Sequence, residues 1–320
     1  MSPTLLTITH FKRRAGCSCY IRTGIAMRID FIVTGQYEGK KVLNILRGCM
    51  KLSSRLVKTL KQRGGILLND SPGRTSDIVH AGDKVSAVIE YDEEINYQPE
   101  EAEISVLYED PYFLAVDKKA GIPVHPSAGH TSGTLAQMVL AHFIKQGLHI
   151  KARPINRLDR DTSGIVLFAK NAHIQERMID QMKNNRVMKI YLGIVHGIYD
   201  PLEGTIDLPI LRKENSTIER IVDPRGAPSV TRYKTLSIQN DLSLVQFMLK
   251  TGRTHQIRVH TRAMGHPIVG DWLYSDIKTD LIGRQALHSA TLAFDHPVTS
   301  ERIVINAPFP EDMRRVLTRS

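Results

Sequence analysis

INRLDRDTSGIVLFAKN, residues 155–171, sets two carboxylates, Asp159 and Asp161, beside Arg157 and Arg160, turns at Thr162-Ser163-Gly164 and runs into an apolar stretch. That stretch, rich in Ile, Val, Leu and Phe and entered from a glycine turn, predicts a buried strand. A carboxylate lodged between guanidinium groups stays charged, which suits Asp159 to act as nucleophile or base rather than as acid. For an isolated Arg-Leu-Asp-Arg, a salt bridge feeding a turn is the commoner role. Asp161 reads as architectural. With Thr162 and Ser163 it is expected to hydrogen-bond its own backbone, while Gly164 takes an unusual dihedral.

Around this passage, short strands dominate from Ile104 onward: ISVLYED, FLAVDKKAG, KIYLGIVHGIY, SLVQFMLKTG and RIVINAP. Helical patterns separate some of them, notably TLAQMVLAHFIKQG and HIQERMIDQMKNN. The strands come in clusters rather than in strict alternation with helices. This predicts an α+β fold built on a large mixed or antiparallel sheet, not a doubly wound one.

A second constellation is TGRTHQIRVHTRAMGHPIVGDWLY, residues 251–274, where Arg253, His255, Arg258, His260, Arg262 and His266 crowd one passage. The histidine spacing matches no recognised zinc pattern, so no metal is expected. The passage reads as an anion-receiving surface that also supplies a partner for Asp159. On a helix beginning near Thr254, Arg258 and Arg262 fall on one face. In KIYLGIVHG, residues 189–197, alternation sends Lys189, Tyr191, Gly193 and Val195 to one face of a strand. Tyr191 there suits either stacking on a base in an RNA cleft or a core role with a satisfied hydroxyl. Lys189, Arg253 and His255 are candidate substrate-binding groups.

The chain has 320 residues and a formal net charge of +10, which favours a polyanionic partner, nucleic acid first. No apolar run approaches a membrane span. Three cysteines, Cys17, Cys19 and Cys49, form no disulfide framework and fit a reducing cytosol. Residues 1–26 carry Lys12, Arg13, Arg14 and Arg22 without one acid, and read as a tail that is disordered or precedes the natural start, with MRIDFIV at Met27 opening a domain. In residues 27–92, SSRLVKTLKQRGG predicts a helix with serine N-cap candidates and an end at Gly64-Gly65. Leu56, Val57 and Leu60 share one face of it and Arg55, Lys58 and Lys61 another. Such a basic stripe is commonly just a solvated face; alternatively it meets phosphates. Residues 93–103, acidic and turn-rich, read as a linker, and 104–320 as the second domain.

Several of these passages carry a family resemblance. DKKAGIPVHPSAGHTSGTL, NRLDRDTSG, KIYLGIVHG, TGRTHQIRVH and GHPIVGDWLY, in this order, are similar to the motifs of RluA-type pseudouridine synthases. The unit at 27–92 resembles an S4-type RNA-binding domain, and the combined layout resembles the large-subunit ribosomal RNA enzymes of that family. The resemblance implies an enzyme that isomerises uridine in RNA to 5-ribosyluracil without a cofactor. It matches the family's essential aspartate to Asp159, the arginine that helps replace the extruded nucleotide to Arg157, the tyrosine packed on the base to Tyr191, and the aspartate's arginine partner to Arg258. Arg55, Lys58 and Lys61 become its RNA-binding groups. One departure is plain: the family usually has His before RLD, and Asn156 stands here, which puts the target site in doubt rather than the chemistry.

A glycoside hydrolase would need a second, protonated carboxylate across the sugar, which the arginines beside Asp159 and Asp161 disfavour. A non-catalytic RNA-binding or ribosome-assembly protein would have no use for a charged aspartate in an RNA cleft. The expected partner is ribosomal RNA, with transfer RNA second, for a cytoplasmic, monomeric protein away from membranes.

Overall fold

The computed structural model describes residues 26–90, 95–127 and 131–319; the expected tail lies, but for Ala26, outside the described residues. The described residues up to Asn96 form one compact unit with Phe143–Lys151, and Tyr97–His142 form a second with Ala152 onward.

In the first unit, strands β1 (Ala26–Ile32), β2 (Ile66–Leu68), β3 (Ser71–Pro72) and β4 (Lys84–Glu90) pair antiparallel in the order β1-β4-β2-β3. β1 has no counterpart among the expectations from sequence. A single helical turn, α1 (Val42–Asn44), is continued by a wider π turn over Ile45–Cys49. The expected helix, α2 (Ser54–Arg63), forms where its caps predict. Ser53 Oγ accepts from the Leu56 amide at 3.3 Å, and Gly64 closes the helix in the left-handed region at φ 69°. Val57 and Leu60 join Val42, Ile45, Leu46, Ile66 and Val85 in the core. Arg55, Lys58 and Lys61 stay exposed.

The second unit contains β5 (Ser105–Glu109), β6 (Phe113–Lys118), α3 (Leu135–Lys145) as far as His142, β7 (Arg153–Pro154), β8 (Ser163–Ala169), α4 (Ala172–Lys183) and β9 (Met188–His196). There follow β10 (Glu203–Asp207), β11 (Ile210–Arg212), β12 (Arg220–Val222), β13 (Val230–Gln239), β14 (Leu242–Leu249), α5 (Gln256–Ala263), β15 (Leu287–Asp295), β16 (Arg302–Asn306) and α6 (Glu311–Arg319). Ten strands make one sheet in the order β10-β13-β14-β9-β15-β8-β6-β5, with β16 on β15 and β7 on β8. The fold is α+β on a large mixed sheet. From Tyr97 on, the expected linker is fastened to this unit: the Tyr97 hydroxyl donates to Ala152 O at 3.2 Å, and Gly133 N donates to Glu100 Oε2 at 2.7 Å.

Among the described residues, all the strand pairs are antiparallel except one. β8 and β15 run parallel over only two pairs, His288 with Ser163 and Ser289 with Gly164, and this short seam joins the two antiparallel halves. Every residue of β8 is buried, as its apolar run predicts. At Gly164 (φ 107°) a Cβ would stand 2.2 Å from Ser289 O, so the seam closes only around a glycine. On the other side of β15, Ser289 pairs with Tyr191 of β9. The seam therefore lines up Gly164, Ser289 and Tyr191 across three strands, with the Asp159 loop leading into it.

Candidate active site

The loop before β8 is anchored at both ends. The Asn156 side chain behaves like a peptide group against β8: Nδ2 donates to Ile165 O and Oδ1 accepts from Leu167 N, both at 2.9 Å. The Thr162 amide donates to Asp159 O at 3.1 Å, closing the turn. The turn side chains do not bond their own backbone as the sequence suggested. Thr162 Oγ1 accepts from Gln285 Nε2 at 3.2 Å, and Ser163 Oγ meets His288 Nδ1 at 2.9 Å. The Asp161 carboxylate is taken by Arg160 in a bidentate pair at 3.0 and 3.1 Å. Beneath the loop, buried Lys118 donates to the carbonyls of Arg160, Ile122 and Lys119 at 2.7, 2.8 and 3.0 Å. Burial pulls the Lys118 pKa down, and the charges of Asp161 and Asp159 oppose that. Arg284, paired twice with Asp312, also reaches the carbonyls of Gln285 and Leu287.

Asp159 itself is not neutralised by its sequence neighbours. Arg160 is occupied by Asp161, and Arg157 is exposed. Its partner is Arg258, 99 residues on, whose Nη1 donates to Asp159 Oδ2 at 3.0 Å. Arg258 is not part of an open anion-receiving face either. Its side chain is 4% exposed, and Nε and Nη2 grip Asp271 at 2.6 and 2.8 Å. Asp271, itself buried, takes the amides of Leu273 and Tyr274 at 3.1 Å each, and the Tyr274 ring lies 5.0 Å from the guanidinium carbon. Burial works against the Arg258 charge, yet the two carboxylates hold its pKa above the ordinary value. The other four-residue neighbour, Arg262, points to solvent, 3.9 Å from exposed Asp276.

The helix α5 that carries Arg258 is set by buried polar groups. Gln256 Oε1 accepts from Thr251 Oγ1 and Arg253 N, and its Nε2 donates to Val230 O and Thr231 Oγ1. His255 caps the helix in the left-handed region at φ 58°. The Tyr274 hydroxyl accepts from Arg220 N at 2.9 Å and meets His255 Nδ1 at 2.8 Å. His255 Nε2 faces Asp159 Oδ1 at 3.8 Å. Burial chiefly keeps the His255 pKa below its usual value, against the pull of Asp159. The result is a carboxylate 27% exposed, with Oδ2 fixed by a rigid arginine and Oδ1 left for a reaction partner.

Tyr191 is 7% exposed and its hydroxyl bonds Ser289. Burial pushes the phenol up to about 12, with the nearby Asp159 charge adding to the effect. Lys189 Nζ lies beside Gly252, and burial lowers its pKa. Arg253 is exposed, with Nε donating to Pro228 O at 3.2 Å. The histidines that invite a metal reading go elsewhere: His260 to Thr231 Oγ1 and Leu208 O, His266 to His196 O. Among the described residues no cluster of three metal-ligating side chains occurs.

Residues 112–263 match the RNA pseudouridylate synthase family. An uncharacterized RNA pseudouridine synthase, YhcT of Bacillus subtilis, is 34% identical over 290 residues, covering 90% of this chain and 96% of its own. The chain belongs to the RNA pseudouridine synthases. Ribosomal large subunit pseudouridine synthase D of Neisseria meningitidis is 34% identical over 278 residues, covering 83% of this chain and 74% of its own. Among solved structures, human RNA pseudouridylate synthase domain containing 1 aligns over 64% of this chain and 83% of its own, with a TM-score of 0.54 and 27% identity.

Several groups that shape this synthase's site carry no signal in the sequence reading. Asp271 and Tyr274 lie within GDWLY, where an acid two residues after a glycine-bounded apolar turn is the one available hint. Lys118, Arg284 and Gln285 act on the aspartate loop from other parts of the chain, and no local spacing marks them.

Proposed function

We propose that this RNA pseudouridine synthase isomerises uridine in large-subunit ribosomal RNA, with Asp159 as the group that acts on the nucleoside. The observation that carries the reading is the Asp159–Arg258–Asp271 line: one oxygen of Asp159 is immobilised by a buried guanidinium, and the other stays accessible. The reaction breaks C1′–N1, turns the uracil and joins C1′ to C5, with the C5 hydrogen leaving as a proton and N1 taking one up. Asp159 Oδ1 serves either by attacking C1′ or by removing the 2′ proton to give a glycal-like intermediate. Both routes need a carboxylate whose orientation is fixed before the substrate arrives, and the doubly paired Arg258 supplies that. Tyr191, protonated and packed beside Asp159, offers a ring edge to the base during its rotation. Neutral His255 places Nε2 beside the same carboxylate.

The target uridine has to leave its stack, which costs a few kcal/mol in a helix and less in a loop. Arg157, exposed at the mouth of the loop, suits the space the nucleotide vacates. Arg253 and Lys189 suit the neighbouring backbone, and Arg55, Lys58 and Lys61 of the S4-like first unit suit more distant phosphates. The large-subunit choice draws on the relatives named ribosomal large subunit pseudouridine synthase D. No cofactor enters any step.

The test is tritium release from RNA labelled at uracil C5, with ribosomal and transfer RNA transcripts. Wild type is expected to release tritium from ribosomal RNA, and Asp159→Asn to release none while still binding it. Release by Asp159→Asn at the wild-type rate would falsify the role of the aspartate. Release from transfer RNA alone would overturn the substrate.

A further inference from the structure

The turn Asp271–Tyr274 has three of its four residues committed inward. Asp271 grips Arg258, Tyr274 bonds His255, and Leu273 packs with Val222 against Ile210, Val259 and Tyr274. The fourth, Trp272, is 63% exposed, the most exposed large apolar side chain among the described residues and the single tryptophan of the chain. Isolated exposed apolar side chains are ordinary on protein surfaces. Trp272 differs in what lies beneath it. Its backbone is fixed by the Leu273 and Tyr274 amides on Asp271 Oδ1 and by Ser275 N on Asp271 O at 2.9 Å. Through Asp271 and Arg258, that turn is bolted to the carboxylate at the reaction centre. Among the described residues its ring stacks on no other ring and its indole N–H meets no acceptor, so the core has no use for it.

We infer that Trp272 is a stacking subsite for an unpaired nucleobase that flanks the target uridine. This rests on the isomerase reading above. A uridine drawn out of its stack leaves a neighbouring base with one face bare. A large flat indole, exposed on a fixed turn that Asp271 and Arg258 tie to Asp159, restores a stacking partner and offsets part of the cost of extrusion. Stacking on an aromatic ring tolerates any base, so the subsite selects for an unpaired neighbour rather than for a base identity. The substrate it selects is therefore a loop, a bulge or an opened helix end, not continuous duplex.

The single tryptophan makes the test direct. Acrylamide quenching of its emission is measured with and without a large-subunit ribosomal RNA transcript, and the same transcript is used for tritium-release kinetics. RNA is expected to lower the quenching constant several-fold. Trp272→Leu, apolar but not aromatic, is expected to raise KM about tenfold with kcat within about twofold, and Trp272→Phe to stay within about threefold of wild type in both. Tritium release with unchanged quenching and a wild-type KM for Trp272→Leu overturns the subsite and leaves the isomerase reading standing. No release by wild type overturns that reading, and the subsite with it.

Discussion

At the residue scale, one guanidinium serves two carboxylates. Arg258 spends Nε and Nη2 on Asp271 and has Nη1 for Asp159, a division that a planar fork permits and an ammonium does not. Arg258→Lys keeps the charge but is expected to lower kcat at least about a hundredfold with little change in KM, because Asp159 loses its fixed orientation rather than its counter-ion. Single-turnover tritium release on saturating RNA measures this, and a loss confined to KM would contradict it. NRLDRD singles out Asp159 as a candidate, but its partner is not legible there. The sequence places arginines at 157 and 160, yet Arg160 turns to Asp161 and Arg157 to solvent. Adjacent residues of a tight turn point in different directions, so nearness along the chain is a poor guide to pairing. Arg258 was named through the family motifs, and nothing in those spacings pointed to Asp271 behind it.

At the element scale, the parallel seam between β8 and β15 is the critical contact. Gly164→Ala is expected to cost at least about 3 kcal/mol, because the new methyl meets backbone that has nowhere to move and the residue must hold φ 107°. Gly133→Ala is the control: its φ of 69° strains alanine, but nothing lies within 4 Å of the added methyl, so about 1 kcal/mol is expected. Thermal unfolding midpoints of the two variants compare the costs, and equal shifts would mean the seam yields. Strands β6, β8, β9 and β14 were readable because apolar or alternating patterns fill them. β13 and β15 were not. VTRYKTLSIQ exposes most of its length, and LHSATLAFD buries histidine and serine where pattern reading expects apolar groups. Those buried polar side chains, His288 and Ser289 among them, are the ones that hold the aspartate loop and Tyr191.

For the whole molecule, two buried histidines set how the fold responds to acid. Burial, with Arg284 nearby, pushes His288 down to about 4, and burial, with Arg177 nearby, pushes His173 to about 4. Between that value and the ordinary 6.5, the unfolded chain binds protons that the folded chain refuses. Their contribution is complete above about pH 6.5 and is lost as pH falls through 4, by about 3 kcal/mol for each ring. The thermal midpoint is therefore expected to drop over that window. His288→Gln should flatten the slope, and a midpoint independent of pH from 6.5 to 4 would contradict the assignment.

The supports of the aspartate loop have one more consequence, for the order in which the protein is made. Asp159 leaves the ribosome 99 residues ahead of Arg258, and Arg284 cannot close on Asp312 until a further 28 residues are made. The first unit's basic helix emerges well before either. A nascent chain thus presents the exposed cations of α2 long before the pairings that hold the aspartate loop can form.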